Sequence, residues 1–328
     1  MNTLKKFILN RNKTEINTIK NLQRIRNTRF VYILDMFFLI ASFLAEEEYY
    51  IFVLPFIYWN IDWMLGYQLL NIINYGLYIG NFIKIKYKIS RPKNVWVHPQ
   101  LKKLDSTNLQ DYSFPSTHSM NAITNISVLI IYNQNNKLFD ESFYIYILYF
   151  IYPLSIILSR IYLGAHTLID IIGGCILGFI VVIIWNLTNV YIDNFYLNSN
   201  PFLLLVFNTF FYTLLFYYSI GNNKIDKSVL LMSENLGAIM GNQLGISLLY
   251  TIHPIDIKKN IYLKQTLGLC LLLIVKIFIN KCFIIYESYY TDEKLKNIIK
   301  IVEKYFVHLI LAFSVTTIIP NIFNITNL

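Results

Sequence analysis

Three short polar blocks in this chain carry residue types that can attack and stabilise a phosphate ester. They are Lys84 with Arg91-Pro92 seven residues on, Pro115-Ser116-Thr117-His118, and Ser159-Arg160 followed by His166 and Asp170. A phosphomonoester near neutral pH carries close to two negative charges, and its transferring group spreads charge over three oxygens. A site that cleaves it needs fixed cations and donors around those oxygens. Lys84, Arg91 and Arg160 supply cations, arginine offering two parallel donors where lysine offers a compact charge. The Lys84 to Arg91 spacing is two helical turns, so both can project from one face before Pro92 ends the helix. Ser116 and Thr117 stand before a helix expected to begin near His118, where hydroxyls and first-turn N–H groups make an anion site. His118 is placed to give a proton to a leaving alkoxide. His166 and Asp170 are spaced i, i+4, so on a helix Asp170 can accept the Nδ1–H of His166 and leave Nε2 free to attack phosphorus.

Each block alone has a plainer explanation. Lysine and arginine at the end of a span snorkel to the interface, a serine before a helix is an N-cap, and a His and Asp one turn apart form structural hydrogen bonds. The joint occurrence of the blocks, in this order, is what points to chemistry. Two histidines and an aspartate also suit a metal such as zinc. Three nearby cations would repel a divalent ion and favour an anion, so neither metal nor cofactor is expected. His98, His253 and His308 lack comparable neighbours and read as packing or interfacial residues, while Gly164, Gly173, Gly174 and Gly178 read as sites of close helix approach.

The elements that must position these groups are apolar. At 55% hydrophobic and 14% charged residues over 328 positions, with a mean hydropathy of +0.47, the chain is too apolar for a soluble domain. Spans are expected near Phe30 to Ala45, Tyr49 to Trp59, Trp63 to Ile83, Met120 to Tyr132, Phe143 to Leu158, Leu168 to Val190, Phe202 to Ile220, Leu236 to Ile252, Leu263 to Tyr286 and Tyr305 to Ile325. At about 20 apolar residues per crossing, this gives an all-α polytopic membrane bundle of about eight to ten transmembrane helices. The division expected is a basic cytosolic tail at 1–29, a six-helix core with the site at 30–192, and additional spans at 193–328.

The first block follows the third span, the second precedes the fourth, and the third lies between the fifth and sixth, so all three reach one membrane face. The tail carries Lys5, Lys6, Arg11, Lys13, Lys20, Arg24, Arg26 and Arg29 against Glu15, and the positive-inside tendency keeps it cytosolic. Three crossings then put the site on the lumenal or exterior side. If the first two runs are one re-entrant pair or a single broken span, that inference reverses. Ile16, Ile19, Leu22 and Ile25 at helical spacing let the tail lie on the membrane surface, with a solvated disordered tail as the alternative. The net charge of +9 is concentrated in this tail and in residues 84–103, including Lys93, Lys102 and Lys103, which suits anionic lipids and an anionic substrate rather than nucleic acid. Cys175, Cys270 and Cys282 have no metal-like spacing.

The three blocks, covering residues 84–170, resemble the signature of the type 2 phosphatidic acid phosphatase superfamily, with Thr117 where many members have glycine. Within it, the stretches Pro55 to Asp62, Pro115 to Met120, Ser159 to Asp170 and Leu236 to Gly245 are similar to sphingosine-1-phosphate, or long-chain-base phosphate, phosphatases. That resemblance implies an endoplasmic reticulum enzyme with a lumen-facing site, no metal requirement and a lipid phosphate substrate. It implies His166 as nucleophile forming a phosphohistidine, Asp170 orienting it and His118 as acid. Lys84, Arg91, Ser116, Thr117 and Arg160 would hold the phosphoryl oxygens. The same polar residues would serve a phosphatidate or isoprenoid diphosphate phosphatase. An anion transporter or an inactive scaffold are the alternatives outside this class.

Overall fold

The computed structural model of the chain describes residues 2–92, 95–99, 112–139, 143–220, 226–249, 260–288 and 293–326. In chain order its helices are α1 (Asn2–Leu22), α2 (Val31–Phe43), α3 (Glu47–Asn60), α4 (Trp63–Tyr87), α5 (Thr117–Asn136), α6 (Phe143–Tyr162), α7 (Leu168–Asn198), α8 (Pro201–Ile220), α9 (Lys227–Leu249), α10 (Ile261–Ser288), α11 (Glu293–Phe313) and α12 (Ile319–Ile325). A 3-10 turn, Gln23–Asn27, follows α1, and a π-helical turn, Ser314–Ile318, joins α11 to α12. Among the described residues, four helical stretches are long and apolar enough to cross a membrane: Tyr144–Tyr162, Leu168–Asn198, Ile261–Ile284 and Leu295–Ile325. Helices α4, α5, α8 and α9 have 20 to 25 residues. The architecture is therefore an all-α polytopic membrane bundle. Lys93, Lys102, Lys103, His253 and the end of the expected span Leu236 to Ile252 lie outside the described residues.

The chain forms two compact units, one of residues 1–50, 79–183 and 226–228, the other of 51–78, 184–225 and 229–328. This division interleaves along the sequence, because the long helices α4 and α7 each contribute residues to both units.

In the first unit, α2 has only 13 residues. At 1.5 Å per residue it is about 20 Å long, short of a hydrocarbon core of about 30 Å. It lies beside the end of α6. The Tyr162 hydroxyl donates to Asp35 Oδ1 at 2.6 Å, Arg160 Nη1 donates to Ser42 Oγ at 2.5 Å, and the Tyr152 hydroxyl donates to the Leu44 carbonyl at 3.4 Å. The basic N-terminus is a docked helix: Ile19 of α1 is buried with Ile161 and Ile171. Thr167 Oγ1 donates to Asn12 Oδ1 at 2.8 Å, the Ile169 N–H donates to Glu15 Oε2 at 3.1 Å, and Gln23 Nε2 donates to the Trp96 carbonyl at 2.9 Å. Arg26 pairs with Asp35, and its guanidinium lies 3.3 Å from the centre of the Trp96 ring. The basic segment and the loop between α6 and α7 therefore lie on the same face of this unit. The expectation of opposite faces has as its premise that Phe30 to Ala45 crosses the bilayer by itself.

The second unit packs around Tyr58, Trp59, Tyr67, Tyr196, Leu204, Ile246, Val315 and Phe323. Gly237, Gly241 and Gly245 lie along one face of α9, and a Cβ on the first two would stand 2.0 Å from the Tyr305 carbonyl oxygen and 2.1 Å from that of Leu309. Only a residue without a side chain lets α9 and α11 approach this closely. Pro320 has no N–H for the Thr316 carbonyl four residues earlier, and the Tyr58 hydroxyl donates to that oxygen at 3.3 Å. Trp59 Nε1 donates to the Val315 carbonyl at 2.9 Å.

Candidate active site

All eight residues expected at the site lie in the first unit, six of them on helix ends, with Asp170 in the first turn of α7. Lys84 is in the last turn of α4, Ser116 is the N-cap of α5, Thr117 and His118 are its first two residues, and Arg160 is in the last turn of α6. Arg91 is not on the α4 face with Lys84. The helix stops at Tyr87, and Lys88 takes a left-handed conformation at φ 48° while its N–H donates to the Lys84 carbonyl at 2.8 Å. The chain then runs extended, with Ser90 paired to Tyr112 and the Ser113 N–H donating to the Ile89 carbonyl at 2.7 Å. The Tyr112 hydroxyl is anchored on Asp226 at 3.0 Å.

His166 also sits off the helix, in the tight loop Leu163 to Thr167. Gly164 makes the turn at φ +75°, and a Cβ there would meet the Trp96 carbonyl oxygen at 2.0 Å. The Arg160 carbonyl accepts the N–H groups of Ala165 at 3.0 Å and His166 at 3.3 Å, so the cation and the imidazole are tied through the backbone. Thr167 and Asp170 form a reciprocal cap at the start of α7. The Thr167 N–H donates to Asp170 Oδ2 at 2.9 Å, and the Asp170 N–H to Thr167 Oγ1 at 3.4 Å. The cap, rather than a shared helix face, brings Asp170 towards His166.

The expected direct bond from His166 to Asp170 is not made. His166 Nδ1 and Asp170 Oδ2 are 3.9 Å apart, and the Ser113 hydroxyl lies between them. Ser113 Oγ donates to Asp170 Oδ2 at 2.5 Å and stands 3.3 Å from His166 Nδ1. With its proton given to Asp170, the hydroxyl can only accept from Nδ1–H, which fixes the tautomer with Nε2 unprotonated. Ser113 was absent from the sequence-derived set. Its signal is faint, a serine two residues before the Pro115 block.

The electrostatics converge on one ring. Burial first, then Arg160, Arg91, Lys84 and His118, push the His166 pKa well below its usual value, so the imidazole is neutral near pH 7. Lys84, Arg160, His166, Asp170 and Ser116 are all sealed from solvent. The Ser116 N–H donates to the Asp170 carbonyl at 3.0 Å, and a Cβ on Gly174 would meet the Ser116 carbonyl oxygen at 2.3 Å, so α7 lies directly against the start of α5. Ser116 Oγ accepts from the Ser119 N–H at 3.4 Å and from the Ser119 hydroxyl at 3.0 Å, which leaves the Ser116 proton to donate. The start of α5 adds the positive end of a helix dipole to the cations. Among the described residues no group of three His, Cys, Asp or Glu could hold a metal ion. What is assembled is a neutral imidazole among three cations, a pocket chemistry for a phosphoryl group. Of the other histidines, His98 packs edge-on to Trp96 and His308 Nδ1 lies 2.8 Å from the Lys304 carbonyl.

Residues 65–193 of this all-α polytopic membrane chain match the model of the PAP2 superfamily. The chain is 30% identical over 155 residues, 47% of its length and 37% of the relative's, to sphingosine-1-phosphate phosphatase 2 of Homo sapiens. It is 31% identical over 182 residues, 53% of its length and 42% of the relative's, to a probable sphingosine-1-phosphate phosphatase of Dictyostelium discoideum. Lipid phosphate phosphatase delta of Arabidopsis thaliana is 26% identical over 171 residues, 50% of this chain and 40% of that one. The chain thus spans about two fifths of the length of these curated relatives. No solved structure gives a significant match.

Proposed function

We propose that this chain is an integral membrane lipid phosphate phosphatase that hydrolyses sphingosine 1-phosphate or related long-chain-base phosphates through a phosphohistidine. The observation that carries this reading is the neutral His166 ring, held at Nδ1 by Ser113 and surrounded by Lys84, Arg91 and Arg160. Relatives named as sphingosine-1-phosphate phosphatases support the substrate class.

The three cations and the Ser116 and Thr117 groups take the phosphoryl oxygens. His166 Nε2 attacks phosphorus as the P–O bond to the lipid breaks, and His118 gives its proton to the departing alkoxide. The charge that develops on the His166 ring is passed as a hydrogen bond through Ser113 to Asp170. Water then attacks the phosphohistidine, His118 takes the proton it lost from that water, and the P–N bond breaks to release phosphate. An alkoxide is a poor leaving group, so proton donation matters as much as attack. We place this chain in the endoplasmic reticulum, as the resemblance of its sequence motifs implies. A lumenal site then requires the N-terminal helix in the lumen as well, because α1 docks on the His166 loop.

The test is phosphate release from sphingosine 1-phosphate and from phosphatidate in detergent with a chelator present. Release from the sphingoid substrate that falls to background in His166→Ala supports the reading. A preference for phosphatidate keeps the mechanism and changes the substrate. Release from neither by folded protein overturns it.

A further inference from the structure

The matched superfamily segment begins at residue 65, yet two side chains that touch the site come from before it. Both lie at the end of α2. Ser42 Oγ accepts from Arg160 Nη1 at 2.5 Å, and Glu46 Oε1 lies 3.0 Å from His118 Nε2. The corner that carries them is tightly made. The Leu44, Ala45 and Glu46 N–H groups donate to the carbonyls of Ile40, Ser42 and Phe43 at 3.0 to 3.1 Å. Ala45 is buried with Ala122 and Ile156, and Tyr152 caps the Leu44 carbonyl. A carboxylate at the end of this corner is held in place.

We propose that Glu46 is the positioning residue for His118, accepting its Nε2–H so that Nδ1 faces the leaving oxygen and favouring the protonated ring that the departing alkoxide needs. The proposal rests on the phosphatase reading of the site. The charges around the ring show why such a partner is required. Burial first, then Arg160 from α6 and Lys84 from α4 hold the His118 pKa below its usual value, His166 faces the ring from the α6–α7 loop, and Glu46 is the acid that draws it back up. Glu46 in turn faces His118, Arg160 and Lys227 at the start of α9. Burial works against the Glu46 charge, but these three together hold its pKa down to about 2, so it is ionised wherever the enzyme works. The proton balance closes: in the first step the Nδ1 proton passes to the alkoxide, and the Nε2 proton stays on the ring, hydrogen-bonded to Glu46. In the second, Nδ1 takes a proton from the attacking water.

The experiment compares wild type with Glu46→Gln, which keeps the shape and removes the charge, using purified full-length protein. Two esters of matched chain length are used, a sphingoid-base phosphate with an alkoxide leaving group and an alkylphenyl phosphate whose phenolate leaves without a proton. The alkyl ester should lose about 10- to 100-fold in kcat with KM changed less than about 2-fold. The alkaline limb of its kcat profile should fall by about one to three pH units, since removing an opposite charge at this distance lowers the pKa of the acid by that much. On the alkylphenyl ester the loss should shrink to within about 3-fold. An equal loss on both esters, or an unmoved alkaline limb, overturns the role of Glu46. If Glu46→Gln does not fold, Glu46→Asp is read by the same limb, which must move in the same direction by a smaller amount. A wild type that turns over neither ester overturns the phosphatase reading itself, whereas an active wild type with an indifferent Glu46→Gln overturns the role of Glu46 alone.

Discussion

The first unit seals Lys84, Arg160, His166 and Asp170 from solvent around one site, whereas the second buries mainly amides and hydroxyls such as Asn71, Asn208, Asn242 and Gln243, with Lys264 and Glu234 as charges apart from them. The buried amides find one another or the backbone: Asn242 Nδ2 donates to the Tyr67 carbonyl at 3.1 Å and to Asn71 Oδ1 at 3.0 Å, and the Tyr196 hydroxyl to Asn208 Oδ1 at 2.7 Å. Neutral pairs of this kind are worth roughly 0.6 kcal/mol each in a membrane protein and serve packing. Buried charges at membrane depth carry a penalty of several kcal/mol and persist where they are paired or used. Similar apolar helices thus hold a charged cluster in one unit and mainly neutral pairs in the other, and both units use glycine to bring backbone close, Gly164 and Gly174 in the first, Gly237 and Gly241 in the second.

The largest way to break this contrast is to remove the close approach in the second unit. Gly241→Leu places a side chain where even a Cβ would stand 2.1 Å from the Leu309 carbonyl oxygen, so α9 and α11 must separate. Overpacking of this severity exceeds the roughly 1–3 kcal/mol typical of core insertions. Most of the protein should be lost as aggregate on size exclusion in detergent, and any folded fraction should keep the wild-type pH profile. Ser113→Ala attacks the first unit with little change of volume. It removes the hydroxyl between His166 Nδ1 and Asp170 Oδ2, and kcat should fall about 10- to 100-fold with KM nearly constant. An unchanged kcat would mean that the 3.9 Å pair of His166 and Asp170 suffices alone.

These two sites also mark what the sequence could and could not disclose. Ser116, Thr117, His118 and Arg160 were legible because helix ends are set by local chemistry, an N-cap hydroxyl at one end and a short loop at the other. The same local logic misplaced Arg91, because nothing in the Lys84 to Pro92 spacing announces that Lys88 turns left-handed and ends the helix early. His166 and Asp170 were found together for a reason that the structure replaces: the Thr167 cap, not a helix face, sets their distance. Glu46 was visible only as one of three acids after an apolar run. Its contact with His118 spans 72 residues, and that of Asn12 with Thr167 spans 155. Contacts of such separation leave no periodicity to read. The docking of α1 escaped for the same reason, and with it the face on which the basic segment lies.

Two smaller effects sharpen the contrast. The Glu46 carboxyl, at about 2 against an ordinary 4.5, is depressed in the folded state. Its contribution to stability is therefore complete above about 4.5 and lost as pH falls towards about 2. Thermal unfolding of wild type and Glu46→Gln in detergent should show a gap of a few degrees near pH 7 that closes across that window. A gap independent of pH would assign the stability to packing rather than charge. Tyr58→Phe is the counterpart in the second unit, where no titratable partner is involved. Removing its hydroxyl strands the Thr316 carbonyl that Pro320 cannot serve. The loss should be about 1 kcal/mol, seen as a Tm lower by about 2 to 4 °C and constant with pH. The different pH behaviour of these two substitutions would separate a contact held through charge from one held through the backbone.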